Sequence, residues 1–173
     1  MKMYFFSIAI AAAMLSFTPD KIPGPVTPNA DANFITKAVE GGMLEIKLGK
    51  LAQNRAASQS IKDFGKMIAD DHSVVSKELW SLAKRKRMET PMVLTGIKQV
   101  QYDSLAAASG EKFDQLFMKA MLSSHEEAIM FFENESATGK DQDIRKWANS
   151  QIPSLKSHLE MARTISEKND PHG

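Results

Sequence analysis

The chain has 173 residues, of which 43% are hydrophobic and 25% charged, a composition suited to one globular domain with a core of its own. Its 22 basic and 21 acidic residues leave a net charge of +1, too little field to grip nucleic acid or an anionic membrane. Cysteine is absent, which excludes disulfides, thiolate metal sites, cysteine nucleophiles and a lipid-modified N-terminal cysteine.

The N-terminus reads as an address. Lys2 precedes an apolar run from Met3 to Phe17, broken only by Ser7 and Ser16. The run, about 15 residues, is shorter than the ~20 a helix needs to cross a bilayer. Residues 1–20 are therefore read as a signal peptide, with a cleavage point that no small-x-small site fixes. Residues 21–29 (KIPGPVTPN) follow as a proline-rich leader. Together they predict an exported protein, periplasmic or associated with the cell envelope, with no transmembrane span once the signal is removed.

From residue 30 onward the apolar residues recur at three- and four-residue spacing, the signature of amphipathic helices. The first helix, 31–56, carries Phe34, Ala38, Gly41, Glu45, Leu48 and Ala52 on its apolar stripe. Gly41, Gly42 and Gly49 lower its helix propensity and are expected to admit a neighbouring helix closely. Ser58 or Ser60 caps the second helix, 59–87, whose stripe is Ile61, Phe64, Ile68, His72, Val75, Leu79 and Leu82. The basic run Lys84–Arg87 ends it and complements the helix dipole. Thr95 caps a short helix, 96–108, with Ile97, Val100 and Leu105 as its apolar residues. The third long helix, 111–138, presents Phe113, Phe117, Met121, His125, Ala128 and Phe132. The fourth, 141–168, presents Ile144, Trp147, Ala148, Leu155, His158, Leu159, Ala162 and Ile165, and Pro153 is expected to kink it or begin a new segment. Trp80 and Trp147 are expected at the edge of the core. Residues 169–173 form a tail containing the fourth histidine, His172.

No strand-like alternation occurs, so the chain is predicted to be all-α. Short connections make the first and second, and the third and fourth, long helices antiparallel hairpins. The long connection between the hairpins holds the short helix. Two hairpins joined by one long crossover make a ferritin-like four-helix bundle over 30–168.

One polar layer in the predicted core is the informative feature. Glu45, His72, His125 and His158 each lie on the apolar arc of a different long helix and near its midpoint, and Asp71 stands at the edge of the same layer. Midpoints of helices of similar length meet at one depth whichever way each runs. A lone buried charge or imidazole costs several kcal/mol, so these groups are expected to approach one another. Two chemistries fit them. One is a hydrogen-bonded layer in which Glu45 accepts from imidazoles and fixes helix register. The other is a site for a single zinc or copper ion held by Glu45, His72, His125 and His158, with Asp71 as an outer partner and Met118 and Met121 nearby as soft donors. A di-iron centre is disfavoured, because Ala69 and Leu155 stand where its two Glu-x-x-His motifs would need glutamates.

The stretch from Asn33 to Leu82 resembles the exported bacterial family known as domain of unknown function 4142. Glu45 with Leu48-Gly49-Lys50-Leu51-Ala52 carries the resemblance, as does Phe64 through Asp70-Asp71-His72. In the second half Ser109-Gly110 with Phe113-Asp114, His125-Glu126 and Pro153-Ser154-Leu155 with His158-Leu159 and Ala162 continue it. The resemblance covers roughly residues 30–166 and implies a ferritin-like bundle at the periplasm or outer membrane, with no activity attached. No nucleophile elbow, phosphate loop or nucleic-acid patch accompanies it. The leading functional expectation is a non-catalytic envelope scaffold or stress-related binding module with an unidentified envelope partner. The alternative is a small zinc- or copper-binding protein using the Glu/His layer.

Overall fold

The computed structural model describes residues 30–169, and within them the chain is all-helical. The signal and leader assigned to residues 1–29 lie outside the described residues, as does His172. Four long helices, α1 (Ala30–Arg55), α2 (Gln59–Arg85), α4 (Gly110–Thr138) and α5 (Gln142–Lys168), are joined by a short α3 (Gly96–Ala106). The expected helix limits agree with these to within two residues.

Contacts along the helices fix their directions. Gly49 packs on Gly65 while Gly42 meets Ser76, so α1 and α2 run antiparallel. Glu133 pairs with Lys156 and Glu126 with Arg163, which makes α4 and α5 antiparallel as well. Phe34 packs against Phe131 and Phe132 whereas Glu45 meets Ser124, setting α1 antiparallel to α4. Asp71 with His158 and Ser60 with Asn169 do the same for α2 and α5. The chain therefore leaves α2 at one end and enters α4 at the other, and the crossover must travel the length of the molecule. It does so along α1: Glu40 accepts from the backbone N–H and the hydroxyl of Thr95, and the Lys47 ammonium lies over the Tyr102 ring.

Carboxylates from distant helices close the tight links. Asp114 accepts the N–H groups of Ala57 and Ser58 at the α1–α2 turn. Asp31 accepts those of Lys140 and Asp141 at the α4–α5 turn. In each pair one donor belongs to the N-cap residue, Ser58 or Asp141, whose N–H has no intrahelical partner, and the other to the turn residue before it. Ser58 and Thr95 occupy the N-cap positions as expected, but neither side chain makes the capping bond. The Asp114 carboxylate instead ties the chain just ahead of α2 to α4 through the N–H groups of Ala57 and Ser58.

Several details differ from the sequence reading. Pro153 sits inside an unbroken α5 and starts no new segment. Its missing N–H removes the intrahelical partner of the Asn149 carbonyl, and Asn149 is an exposed residue. Gly41 admits no neighbour, since a Cβ placed there would meet nothing within 4 Å. Ile97 and Val100 are 80% and 66% exposed, and of α3 only Leu105 is buried. A short helix laid on the outside of a finished core has one side to bury, and its contacts run through Thr95, Tyr102 and Leu105. Trp80 is 42% exposed and Val75 only half-buried, because Ser76, facing Gly42, takes the inward position on that turn of α2.

The core forms two apolar clusters. One gathers Leu48, Ile61, Phe64, Phe113, Phe117 and Met121 towards the α1–α2 turn. The other gathers Phe34, Leu79, Leu82, Phe132, Ile144 and Leu155 towards the α4–α5 turn. On α2 and α4 the histidine singled out above stands between the two clusters, whereas Glu45 on α1 is flanked by Leu44 and Leu48 of the first and His158 on α5 by Leu155 and Leu159 of the second. Along α2, Ile68 belongs to the first cluster, His72 follows, and Leu79 belongs to the second. Along α4 the order is Met121, His125, Ile129.

Candidate metal centre

The structure brings Glu45, His72, His125 and His158 into one layer, and all four are buried. The three imidazole rings have centroids 5.4 to 5.8 Å apart. One ring nitrogen of each histidine lies within 4.8 Å of the other two.

The partners of each ring decide where its proton sits. His72 Nδ1 is 3.1 Å from Glu45 Oε2, an acceptor only, so Nδ1 carries the proton and donates it. His125 Nδ1 is 2.9 Å from the Met121 carbonyl and 3.6 Å from Glu45 Oε1, again acceptors only, so it too donates. His158 Nε2 is 3.1 Å from Asp71 Oδ2 and donates to it. In the neutral rings the remaining nitrogens are His72 Nε2, His125 Nε2 and His158 Nδ1, each with a lone pair and no proton. His72 Nε2 is buried with no hydrogen-bond partner. His125 Nε2 and His158 Nδ1 face each other at 3.4 Å, lone pair against lone pair. That contact is unfavourable unless an extra proton or a cation stands between them.

Burial favours the neutral form of His158. Burial holds the His158 pKa below the usual histidine value; the bond to Asp71 opposes this, and the neighbouring His72 and His125 reinforce it. For Glu45, burial pushes the pKa up, but His72, His125, the Ser124 hydroxyl and His158 together outweigh burial and hold it below the ordinary value. Glu45 is thus a carboxylate with both oxygens engaged: Oε2 lies 3.1 Å from the proton-bearing His72 Nδ1, and Oε1 accepts from Ser124 Oγ at 2.8 Å. It orients imidazoles and lies outside the group of three convergent nitrogens. Asp71 plays the same outer part for His158.

Sequence periodicity does not single out Ser124 and the Met121 carbonyl. Met121 shares the face of His125 one turn earlier, but only the helix geometry shows that its carbonyl, rather than its sulfur, holds the ring. Met118 and Met121 are both buried in the apolar cluster beside the layer.

This set can bind a metal in a recognisable way. Neutral imidazoles each anchored on the far nitrogen by a carboxylate or carbonyl are the usual form of histidine ligation, in which the outer partner fixes tautomer and ring orientation. Around a tetrahedral ion with bonds near 2 Å, ligand nitrogens stand about 3.3 Å apart, close to the observed His125–His158 spacing.

The family model described as "Domain of unknown function (DUF4142)" matches residues 18–165. The chain belongs to this family. No curated protein matches it in sequence. Among solved structures it is similar to a DUF305 protein from Streptomyces coelicolor, with a TM-score of 0.68 at 11% identity, covering 82% of this chain and 94% of that one. A DUF305 fragment from Deinococcus radiodurans is similar at a TM-score of 0.70 and 8% identity, covering 80% and 96%. CopM in its Cu(I)-bound form is similar at a TM-score of 0.66 and 20% identity, also covering 80% and 96%. At these identities the likeness establishes a shared helical fold for this DUF4142 domain. No described helix is long and apolar enough to cross a membrane.

Proposed function

We propose that this DUF4142 protein is an exported helical bundle that binds one copper ion through His72 Nε2, His125 Nε2 and His158 Nδ1. The convergence of three deprotonated imidazole nitrogens, each anchored from outside the group, carries this reading. Imidazole ligands suit copper and zinc alike. Copper is preferred because a neighbour of the same fold, CopM, has been solved with Cu(I) and with Cu(II) bound. Export rests on the signal-like residues 1–20 and on the description of the Streptomyces neighbour as a secreted protein. The ferritin-like assignment rests on the antiparallel helix pairs and the crossover running the length of α1.

The experiment is to purify the protein without metal, add Cu(II) or, under reductant, Cu(I), and measure stoichiometry and melting temperature. One copper per chain is expected, with stabilisation of about 2.7 kcal/mol at a hundredfold excess over Kd. His72→Ala, His125→Ala and His158→Ala should each remove that stabilisation. Copper that neither binds stoichiometrically nor shifts melting, or that binds equally well to all three variants, refutes the reading.

A second reading draws on the short Glu45–His72 and His158–Asp71 contacts: the layer is a register-fixing polar network in a non-catalytic envelope scaffold. Under it, metal leaves the melting temperature unchanged while His72→Ala still destabilises the fold.

A further inference from the structure

The bundle contains a cavity of about 460 Å³ between α1, α2, α4 and α5, opening beneath α3 at Ile97, Lys98 and Gln101. This is an ordinary size for a small-molecule site. His72 and His158 form part of its wall, whereas the fully buried His125 does not. The rest of the wall is largely apolar, with Leu44, Leu79, Phe131, Phe132 and Leu155 among the lining residues. Two features of the wall bear on what it could hold. His72 Nε2 and the indole Nε1 of Trp147 are both buried without a partner, and both residues line this cavity. At Gly41, also in the wall, the space an added Cβ would enter is open.

The ligand inventory of the layer is incomplete in the same direction. Three long helices each supply one convergent nitrogen. The fourth, α1, supplies Glu45, whose oxygens are already committed to His72 and Ser124. A copper ion on the three nitrogens would therefore lack a fourth protein ligand from α1. Three protein ligands with an open position is the arrangement by which metal sites take up external molecules.

We propose that the fourth position of the ion is filled from this cavity by a small molecule with one nitrogen, oxygen or sulfur donor on an apolar body. The proposal rests on the copper reading above. The donor end would meet the ion beside His72 and His158, and the apolar body would lie against Leu79, Phe132 and Leu155. The unpartnered Trp147 indole N–H offers a hydrogen bond to an acceptor farther along the occupant. With Glu45 and Asp71 balancing the two charges of Cu(II), the site asks for no anion, and the apolar wall selects for the body of the ligand.

Imidazole and 4-phenylimidazole are suitable probes, because they share a donor and differ in apolar bulk. Each would be titrated into the copper-loaded protein and followed by the Cu(II) absorption band and electron paramagnetic resonance. Both should change the spectra. Relative to their affinities for aqueous Cu(II), 4-phenylimidazole should bind about tenfold more tightly, equivalent to about 1.4 kcal/mol. Gly41→Phe and Ala128→Leu, which place side chains in the cavity, should erase that preference while copper stoichiometry stays unchanged. Loading with copper followed by spectra that neither probe alters overturns the proposal and leaves the copper reading intact. So does equal affinity for the two probes in the unsubstituted protein, a comparison that stands even if a cavity variant fails to fold. Failure to load copper overturns both.

Discussion

Replacing Gly49 by alanine sets helix propensity against packing. In an isolated helix the change favours alanine by about 1 kcal/mol. In the structure, a Cβ at Gly49 would run into the Gly65 carbonyl oxygen and come within 3.0 Å of the Ala69 nitrogen and 3.1 Å of the Ala69 Cβ. From the other side, a Cβ at Gly65 would lie 2.5 Å from the Ala52 Cβ. The obstacle is backbone, which cannot rotate away, so α1 and α2 must separate. Overpacking of this kind costs about 1 to 3 kcal/mol or more, and the absence of any yielding side chain puts Gly49 at the upper end. After subtracting the propensity gain, we expect Gly49→Ala to destabilise the protein by about 2 kcal/mol, or roughly 4 to 8 °C in Tm for a domain of this size. Gly41 on the same helix is the control. Nothing stands within 4 Å of its added Cβ, so Gly41→Ala should stabilise by about 0.5 to 1 kcal/mol. Urea and thermal unfolding followed by far-ultraviolet circular dichroism would measure both. If Gly49→Ala is as stable as the parent, or if the two variants shift in the same direction, the close approach of α1 and α2 at Gly49 is wrong.

Glu135, buried at the end of α4, has its pKa pushed up to about 7 by burial, by the charge of Asp31 and by a hydrogen bond with Asp31. The folded state therefore holds a proton that the unfolded chain releases near its ordinary value of 4.5. Stability from this group is full below that value and is lost as pH rises through about 7. Glu135→Gln cannot titrate, so its stability relative to the parent should climb by about 1 to 2 kcal/mol across that window, discounted for solvent near the turn; a pH-independent difference in urea midpoints would refute the assignment. Asp114→Ala removes the acceptor for two backbone N–H groups at the α1–α2 turn and should cost about 1 to 2 kcal/mol by the same measurement, whereas a cost near zero would show that water replaces it. Glu45→Gln leaves the three convergent nitrogens in place but weakens the anchor of His72, so copper affinity by competitive titration should fall about 10- to 100-fold without loss of stoichiometry; unchanged affinity would remove Glu45 from the site.

The all-helical fold, the limits of its helices and the four residues of the polar layer follow from local pattern. Spacing of three and four residues places Glu45, His72, His125 and His158 among apolar neighbours, and the cost of burying such groups alone requires that they meet. The pairing of helices also follows from link length, since a three-residue turn between long helices permits only an antiparallel return. Which glycine admits a neighbour does not. Gly41 and Gly49 lie on the same helix, and their difference appears only once α2 crosses α1 at Gly65. The burial of α3 was likewise decided by the tertiary structure, because its apolar residues found a core already filled by the long helices and left Ile97 and Val100 outside. The division of labour within the layer was decided there too. Composition offers one carboxylate and three imidazoles as equal candidates. Only the positions of Glu45, the Met121 carbonyl and Asp71 assign the three ring protons, and those assignments, with Ser124 holding the other oxygen of Glu45, turn Glu45 into an orienting group and leave one nitrogen of each ring free. A ring's chemistry depends on which of its two nitrogens finds an acceptor, and that acceptor comes from a helix turn or a distant segment that periodicity does not place.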